Sequence, residues 1–140
     1  MDAKKYLQKV RFADERINSL LSEALKVRRS IRILEQSQEA PIGVTLTAVL
    51  GKLWMTEASL NFEIDTLIDF KSEVREAIGK IQDHEERLVL RLRYLQNRSW
   101  EQIAGVFDTN TETVMGWHKK ALLRLEVPER SVLFRKENVQ

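Results

Sequence analysis

The chain has 140 residues, of which 43% are hydrophobic and 31% charged, and its formal net charge is only +2. That length allows one domain or two small ones, and the composition is typical of a helix-rich soluble protein. The absence of cysteine excludes disulfides and thiolate metal sites. Neither an apolar run of roughly 18 residues nor a signal-peptide pattern is present, so we expect a cytoplasmic protein without a membrane partner or a metal.

The N-terminal segment has a heptad pattern. Residues 2–34 contain neither proline nor glycine, which predicts one long helix. Further apolar residues beside the seam indicate contact with more than one helix. The seam positions are Ala3, Tyr6, Val10, Ala13, Ile17, Leu20, Ala24, Val27, Ile31 and Leu34.

A second amphipathic run covers residues 46–81, after a break over 35–45 that contains proline and glycine. Glu57 and Lys71 occupy seam positions of this run, where they could fix the register or mark where the seam opens. The two runs have similar lengths and a short connection, so residues 1–82 are predicted to form a long, coiled-coil-like antiparallel helical hairpin. The same surfaces could instead pair two chains, so a homodimer is also expected.

A new helix is predicted after residue 82. Asp83, with Glu86 three residues later, forms a capping pair, and the helix should continue to about Gln96. This helix and the two that follow make residues 83–127 a three-helix unit. Residues 128–140 are predicted to form a polar tail. Either its three apolar residues dock a short helix onto the core, or the tail is mobile.

The next two helices are short and separated by a tight turn. Ser99 can cap the first, and Asn110 or Thr111 the second, with a turn over 108–110 between them. Two helices joined in this way indicate a helix-turn-helix. The residues predicted to be buried together are Leu88, Leu92, Trp100, Ile103, Phe107, Val114, Trp117 and Leu125.

The exposed face of the last helix is the candidate DNA-reading surface. With the helix in a major groove, its first residues meet base edges and its later basic residues meet phosphates. Glu112, for example, could accept a hydrogen bond from a cytosine amino group. The competing interpretation is a helical hairpin with a solvated face that serves only packing. The candidate DNA-binding residues are Asn110, Thr111, Glu112, Thr113, Met115, Gly116, Lys119, Lys120, Arg98 and Arg124.

Residues 85–125 resemble region four of bacterial sigma factors, which binds the upstream element of promoters. The matching parts are ERLVLRLRY, the SWEQIA opening and the KKALLRL end. The whole chain is also similar to small phage and prophage transcriptional regulators, including late-operon activators and autolysin-regulator-like proteins. Sigma factors usually carry arginines where this chain has Thr111, Thr113 and Met115, and glutamine in place of Gly116. The resemblance therefore implies the fold and the docking mode, but not the same DNA sequence.

Enzymatic function lacks the necessary residues. The sequence has no glycine-rich phosphate loop, no supported Ser, His and Asp set, and no metal-ligand spacing. We expect neither catalysis nor a cofactor. Two functions remain. The first is a transcriptional regulator that binds double-stranded DNA, acts as a homodimer and contacts RNA polymerase. The second is a small-terminase-like DNA-recognition and assembly subunit of a phage packaging machine, for which a ring of subunits would be expected.

Overall fold

The computed structural model describes residues 2–36 and 46–135, and within these ranges every regular element is helical. The predicted all-α fold, with long helices followed by a helix-turn-helix region, is confirmed. The elements are α1 (Ala3–Val10), α2 (Ala13–Gln36), α3 (Leu46–Gly79), α4 (His84–Leu90), a π-helical segment (Arg91–Leu95), α5 (Trp100–Val106), α6 (Thr111–Arg124) and a 3-10 turn (Val132–Phe134).

Most of the predicted connection over 35–45 lies outside the described residues, including Pro41 and Gly43. The same is true of residues 136–140 in the predicted tail. Within the two described ranges, no helix is long and apolar enough to cross a membrane.

The helices α2 and α3 pack side by side as an antiparallel hairpin. Asp14, near the start of α2, accepts a hydrogen bond from Lys71 at 2.6 Å. Arg28, further along α2, pairs at 3.5 Å with Glu57, which comes earlier in α3. The two helices therefore run in opposite directions, and both charged seam residues bridge them. The buried residues at the centre of the hairpin are Leu20, Leu60 and Ile64.

The prediction of one continuous helix over 2–34 is wrong, because residues 11–12 separate α1 from α2. Neither residue breaks a helix by its type, so packing provides the reason. Tyr6, Leu7 and Val10 of α1 are buried against the C-terminal half of α3 and against the helices that follow it. The helix α2 instead lies along the rest of α3. A straight helix could not follow α3 and also reach α6.

The largest hydrophobic cluster joins α1, α3, the π-helical segment and the end of α6. The Tyr6 ring meets the Phe70 ring edge-on, with centroids 5.3 Å apart. This continuous core crosses the predicted domain boundary at residue 82, so α1 and α3 support the three-helix unit directly. The other fully or nearly buried members are Leu7, Val10, Ala13, Val74, Ala77, Ile78, Ile81, Leu90, Tyr94, Ala121 and Leu125.

Glu73 fastens the segment after α6 to this core. Its carboxylate accepts hydrogen bonds from the Tyr6 hydroxyl at 2.6 Å, the Ser131 hydroxyl at 2.8 Å and the Val132 N–H at 3.0 Å. Burial, and then the hydrogen bond and charge of Glu73, raise the pKa of Tyr6 far above its usual range. The short C-terminal helix that the sequence allowed is therefore present at Val132–Phe134 and is anchored to α3.

Candidate nucleic-acid interface

The helices α4, α5 and α6 close around a small core of their own. The predicted burial is confirmed for Leu92, Ile103 and Val114, whereas Leu88, Trp100, Phe107 and Trp117 are only half-buried at the edge of the cluster. Leu125 is buried too, but it lies beside Ala121 in the larger core with α1 and α3. The buried residues are Val89, Leu92, Ile103, Ala104 and Val114.

Side-chain caps fix where each of these helices begins. The Asp83 carboxylate accepts a hydrogen bond from the Glu86 backbone N–H at 3.0 Å and so caps α4. Ser99 forms a full capping box with Gln102, whose backbone N–H donates to the Ser99 hydroxyl at 3.1 Å and whose side-chain oxygen accepts from the Ser99 N–H at 2.9 Å. Asn110 accepts from the Thr113 backbone N–H at 2.9 Å, so Asn110 caps α6. Each cap satisfies a backbone donor that would otherwise lack a partner.

The turn between α5 and α6 depends on one left-handed residue. Asp108 has a φ of 53°, a conformation that costs most side chains energy but that Asp and Asn tolerate. The next N–H, of Thr109, donates to the carbonyl of Ala104 at 3.0 Å and closes the end of α5. This turn sets the angle between α5 and α6.

Most of the predicted reading residues lie on the exposed face of α6. Opposite them, Val114 and Ala121 are fully buried. Thr111 is half-buried at the start of the helix, and Asn110 is exposed but uses its side-chain oxygen as the cap. The exposed members of the predicted set on α6 are Glu112, Thr113, Met115, Gly116, Lys119, Lys120 and Arg124.

The sequence analysis missed Leu123 on this face. Its side chain is 83% exposed, the largest exposure among the large apolar side chains that the structure describes. The spacing of 112, 116, 119 and 123 could have shown this, because residues three and four apart share one face of a helix. The face therefore carries an apolar side chain near its C-terminal end.

Arg124 has a structural partner that the sequence analysis did not find. Its guanidinium lies 3.4 Å from the carboxylate of Glu86, which is only 2% exposed. A buried carboxylate is costly without a cation beside it, so the first role of Arg124 is to neutralise Glu86. Glu86 was interpreted only as a capping residue of α4, and that reading hid its contact with α6. A DNA contact by Arg124 stays a prediction.

The arginines before α5, of which only Arg98 was predicted to bind DNA, have different roles. Arg98 is exposed in the connection to α5, and its carbonyl accepts a hydrogen bond from the Arg93 guanidinium at 3.1 Å. The same guanidinium lies over the Trp100 ring, 4.4 Å from the centroid. Arg87 instead donates to the carbonyl of Ile81 at 2.7 Å and holds the connection between α3 and α4. Arg93 and Arg98 thus contact each other beside the start of α5, whereas Arg87 stabilises the connection between two helices.

His118 connects α6 to the π-helical segment. Its Nε2 lies 2.7 Å from the hydroxyl of Tyr94, and its ring meets the edge of Trp100 with centroids 4.8 Å apart. Burial, followed by the charges of Arg93 and Lys4, lowers the pKa of His118 to about 4. The imidazole is therefore neutral at pH 7. The two cations that lower its pKa come from the π-helical segment and from α1.

Comparison with known proteins concerns the C-terminal part of the chain. Residues 83–126 match the family model described as Sigma-70, region 4, and this range contains α4, α5 and α6. No solved structure matches the chain. Members of that family are DNA-binding helix-turn-helix domains. The geometry of the caps, the turn and the exposed α6 agrees with the match, and residues 83–126 form a sigma-region-four-like helix-turn-helix.

Proposed function

We propose that the protein is a sequence-specific regulator of transcription that reads its DNA site with α6 in the major groove. The observation that carries this proposal is the exposed face of α6, which no other described helix covers, within a domain of a DNA-binding family. The 14 residues of α6 make a rod about 20 Å long, enough to cross a groove about 12 Å wide. We assign no catalytic role.

The two ends of this face have different tasks in the proposal. Glu112 and Thr113 lie in the first turn of α6, where side chains reach base edges. Lys119 and Lys120 lie about two turns later, where a helix that crosses the groove meets the phosphate backbone. Because the net charge of the chain is only +2, affinity must come from such local cations rather than from the charge of the whole protein.

We place the action of the protein at a promoter, because region four of sigma factors works there. The long hairpin of α2 and α3 lies outside the family match and would be available to contact RNA polymerase. The similarity to small phage and prophage regulators makes a phage or prophage operon in a bacterial cytoplasm the first place to search for the operator. Selection of bound fragments from such a genome would identify it.

Two substitutions on α6 test the reading mode. Glu112→Ala is expected to relax preference at one base position by about 1 to 3 kcal/mol, and to leave non-specific affinity unchanged or improved because it removes a negative charge. Lys120→Ala is expected to weaken binding to all sequences and to reduce the slope of log affinity against log salt by about one. Salt-dependent titrations on operator and random duplexes measure both effects. Unchanged slope and unchanged specificity in both variants would show that α6 does not read DNA.

We also propose that the protein acts as a homodimer through the outer surface of the hairpin. Large apolar side chains remain exposed there, including Leu25 of α2 at 66% and Met55 of α3 at 71%. A second copy would cover them, and two linked recognition helices gain affinity from effective concentration. A single recognition helix buries little surface, so a dimer also explains how a domain this small could select one site.

Sedimentation measures the oligomeric state directly. We expect a dimer at tens of micromolar, an order-of-magnitude choice from affinity arithmetic. Leu25→Glu should produce monomers because it places a charge in the apolar contact. Ser30→Glu adds the same charge at another exposed position of α2 and should leave the dimer intact. A monomeric wild-type protein would leave the hairpin as a polymerase-contact arm, and a ring of many subunits would favour the packaging function.

A further inference from the structure

A cleft of about 380 Å³ lies where α1 meets the helix-turn-helix. One wall is formed by Lys4 and Gln8 of α1 and by Arg11, which directly follows that helix. Arg93 and Tyr94 of the π-helical segment, Trp100 of α5, and Met115 and His118 of α6 complete the lining. The cleft therefore adjoins the exposed face of α6, but its first wall comes from a helix outside the family match.

Three cations line the cleft, and none of them is paired with a carboxylate of the described residues. In the described part of the chain no carboxylate lines it, and neither Lys4 nor Arg11 nor Arg93 forms an ion pair. Burial and the charge of Arg11 lower the pKa of Arg93, and Tyr94 and Glu101 only partly offset this lowering. The Nε of Arg11 is buried and has no hydrogen-bond partner. Like charges held this close repel each other, and an anion between them would remove the repulsion.

One of the cations is held in place before any ligand arrives. The Arg93 guanidinium is fixed by its stacking over Trp100 and by its hydrogen bond to the carbonyl of Arg98. An immobilised guanidinium loses little entropy on binding and suits a phosphate, whose oxygens accept hydrogen bonds from its fork of N–H donors. Gln8 of α1 adds an uncharged hydrogen-bond donor to the cleft.

The position of the cleft relative to α6 indicates which anion would enter. A helix with its side chains is about 10 to 12 Å across, nearly the width of the major groove, so a backbone strand passes along each of its flanks. Lys120 and Arg124 lie on one flank of α6. By helical spacing, Met115 and His118 lie toward the other, and that is the flank on which the cleft opens.

We propose that this cleft binds a phosphate of the DNA backbone, on the strand opposite the one that Lys120 contacts. The helix α1 then belongs to the DNA-binding surface, and with α6 it holds both strands of the groove. Its docking onto α6 also explains why the N-terminal heptad run is interrupted, since a continuous helix would carry Lys4 away from the cleft. The inference rests on the proposed function, because it concerns the same DNA.

Lys4→Gln tests the proposal with Lys9→Gln as its matched control. Both variants remove one charge from α1, but Lys9 faces the opposite side, beside Arg16 and α3. In titrations with a random duplex of about 30 base pairs, Lys4→Gln should lose about tenfold in affinity near 0.1 M salt and about one unit of salt slope. Lys9→Gln should stay near wild type. Gln8→Glu, which places a carboxylate in the cleft, should lose at least as much as Lys4→Gln.

The imidazole of His118 provides a second reading that does not depend on affinity. Burial and the neighbouring cations lower the pKa of His118 to about 4, and a phosphate beside it should raise this pKa, which an NMR titration of the ring would follow. The duplex should produce this rise in the wild type and a smaller one in Lys4→Gln. The control is inorganic phosphate alone at roughly millimolar concentration, which corresponds to weak binding. If it raised the pKa of His118 as much as the duplex does, the cleft would be a general anion site and the proposal would be overturned.

The outcomes separate the two proposals. Equal salt slopes for Lys4→Gln and Lys9→Gln, with Lys120→Ala still weakened, would overturn the cleft and keep α6 as the reading helix. Loss of slope in Lys4→Gln and in Lys120→Ala supports both. A wild-type protein that binds no duplex would overturn the proposed function and the cleft with it.

Discussion

Ile103→Ala is expected to unfold the helix-turn-helix. Ile103 of α5 is completely buried, in contact with the cluster formed by Val89, Leu92 and Val114. Removal of the outer atoms of a buried Ile costs about 2 to 5 kcal/mol, since transfer free energy is lost and a cavity remains. A whole domain is stable by only about 5 to 15 kcal/mol. Thermal or urea unfolding followed by circular dichroism should show the loss, and DNA binding should disappear with it.

Val106→Ala is the matched control for this prediction. Val106 lies on the same short helix, but its side chain is 56% exposed, so the change in stability should stay within about 0.5 kcal/mol. If Ile103→Ala unfolded at the same temperature as Val106→Ala, α5 could not pack on α4 and α6 as described. A lowered melting temperature with intact DNA binding would instead show that the reading helix keeps its place without this core.

The sequence predicted best those features that depend on near neighbours. Ser99 and Asp83 were identified as caps because an N-cap side chain and the backbone N–H that donates to it lie only three residues apart. The same spacing did not distinguish Asn110 from Thr111 as the cap of α6, and the structure shows that Asn110 is the cap. The hairpin of α2 and α3 followed from a heptad period sustained over many turns, which makes the apolar face unambiguous even when the ends of the helices are not.

Contacts between distant parts of the chain could not be read in this way. The interruption at residues 11–12 has no sequence signal, because it results from α1 docking onto α3 and α6. The pairing of Glu86 with Arg124 was hidden for the same reason, since each residue has a local interpretation that is physically sound. Phe107 was expected to be central, yet it is half-buried with its ring edge-on to Trp117, so Ile103 is the more sensitive position.

The candidate site shows the same division. Helical spacing alone placed Glu112, Gly116 and Lys120 on one face of α6, and the structure exposes all of them. It could not place Lys4 or Arg11 beside that face, because they are about a hundred residues earlier in the chain. A surface assembled from two ends of a sequence becomes visible only when packing is known. The family match covers one of these ends, so it could not have included α1.

Gly116→Glu is expected to weaken DNA binding strongly without unfolding the protein. A Cβ at position 116 would meet nothing within 4 Å, so the new side chain fits, and the loss of a glycine from a helix interior stabilises α6 by about 1 kcal/mol. The carboxylate would then stand in the middle of the exposed face. In a groove between two phosphate strands, it should reduce affinity for every duplex by about 10- to 100-fold, or roughly 1.4 to 2.8 kcal/mol.

Gly105→Glu supplies the matched control, because a Cβ at position 105 of α5 would also meet open space and the charge change is the same. It lies off the face of α6, so it should reduce affinity much less. Gly116→Ala separates size from charge: it should melt at a higher temperature than wild type and keep most of its affinity. If Gly116→Glu bound duplexes as well as Gly105→Glu, α6 could not lie in the groove. The loss of binding in a protein that is more stable than wild type is the result that a merely solvated face does not produce.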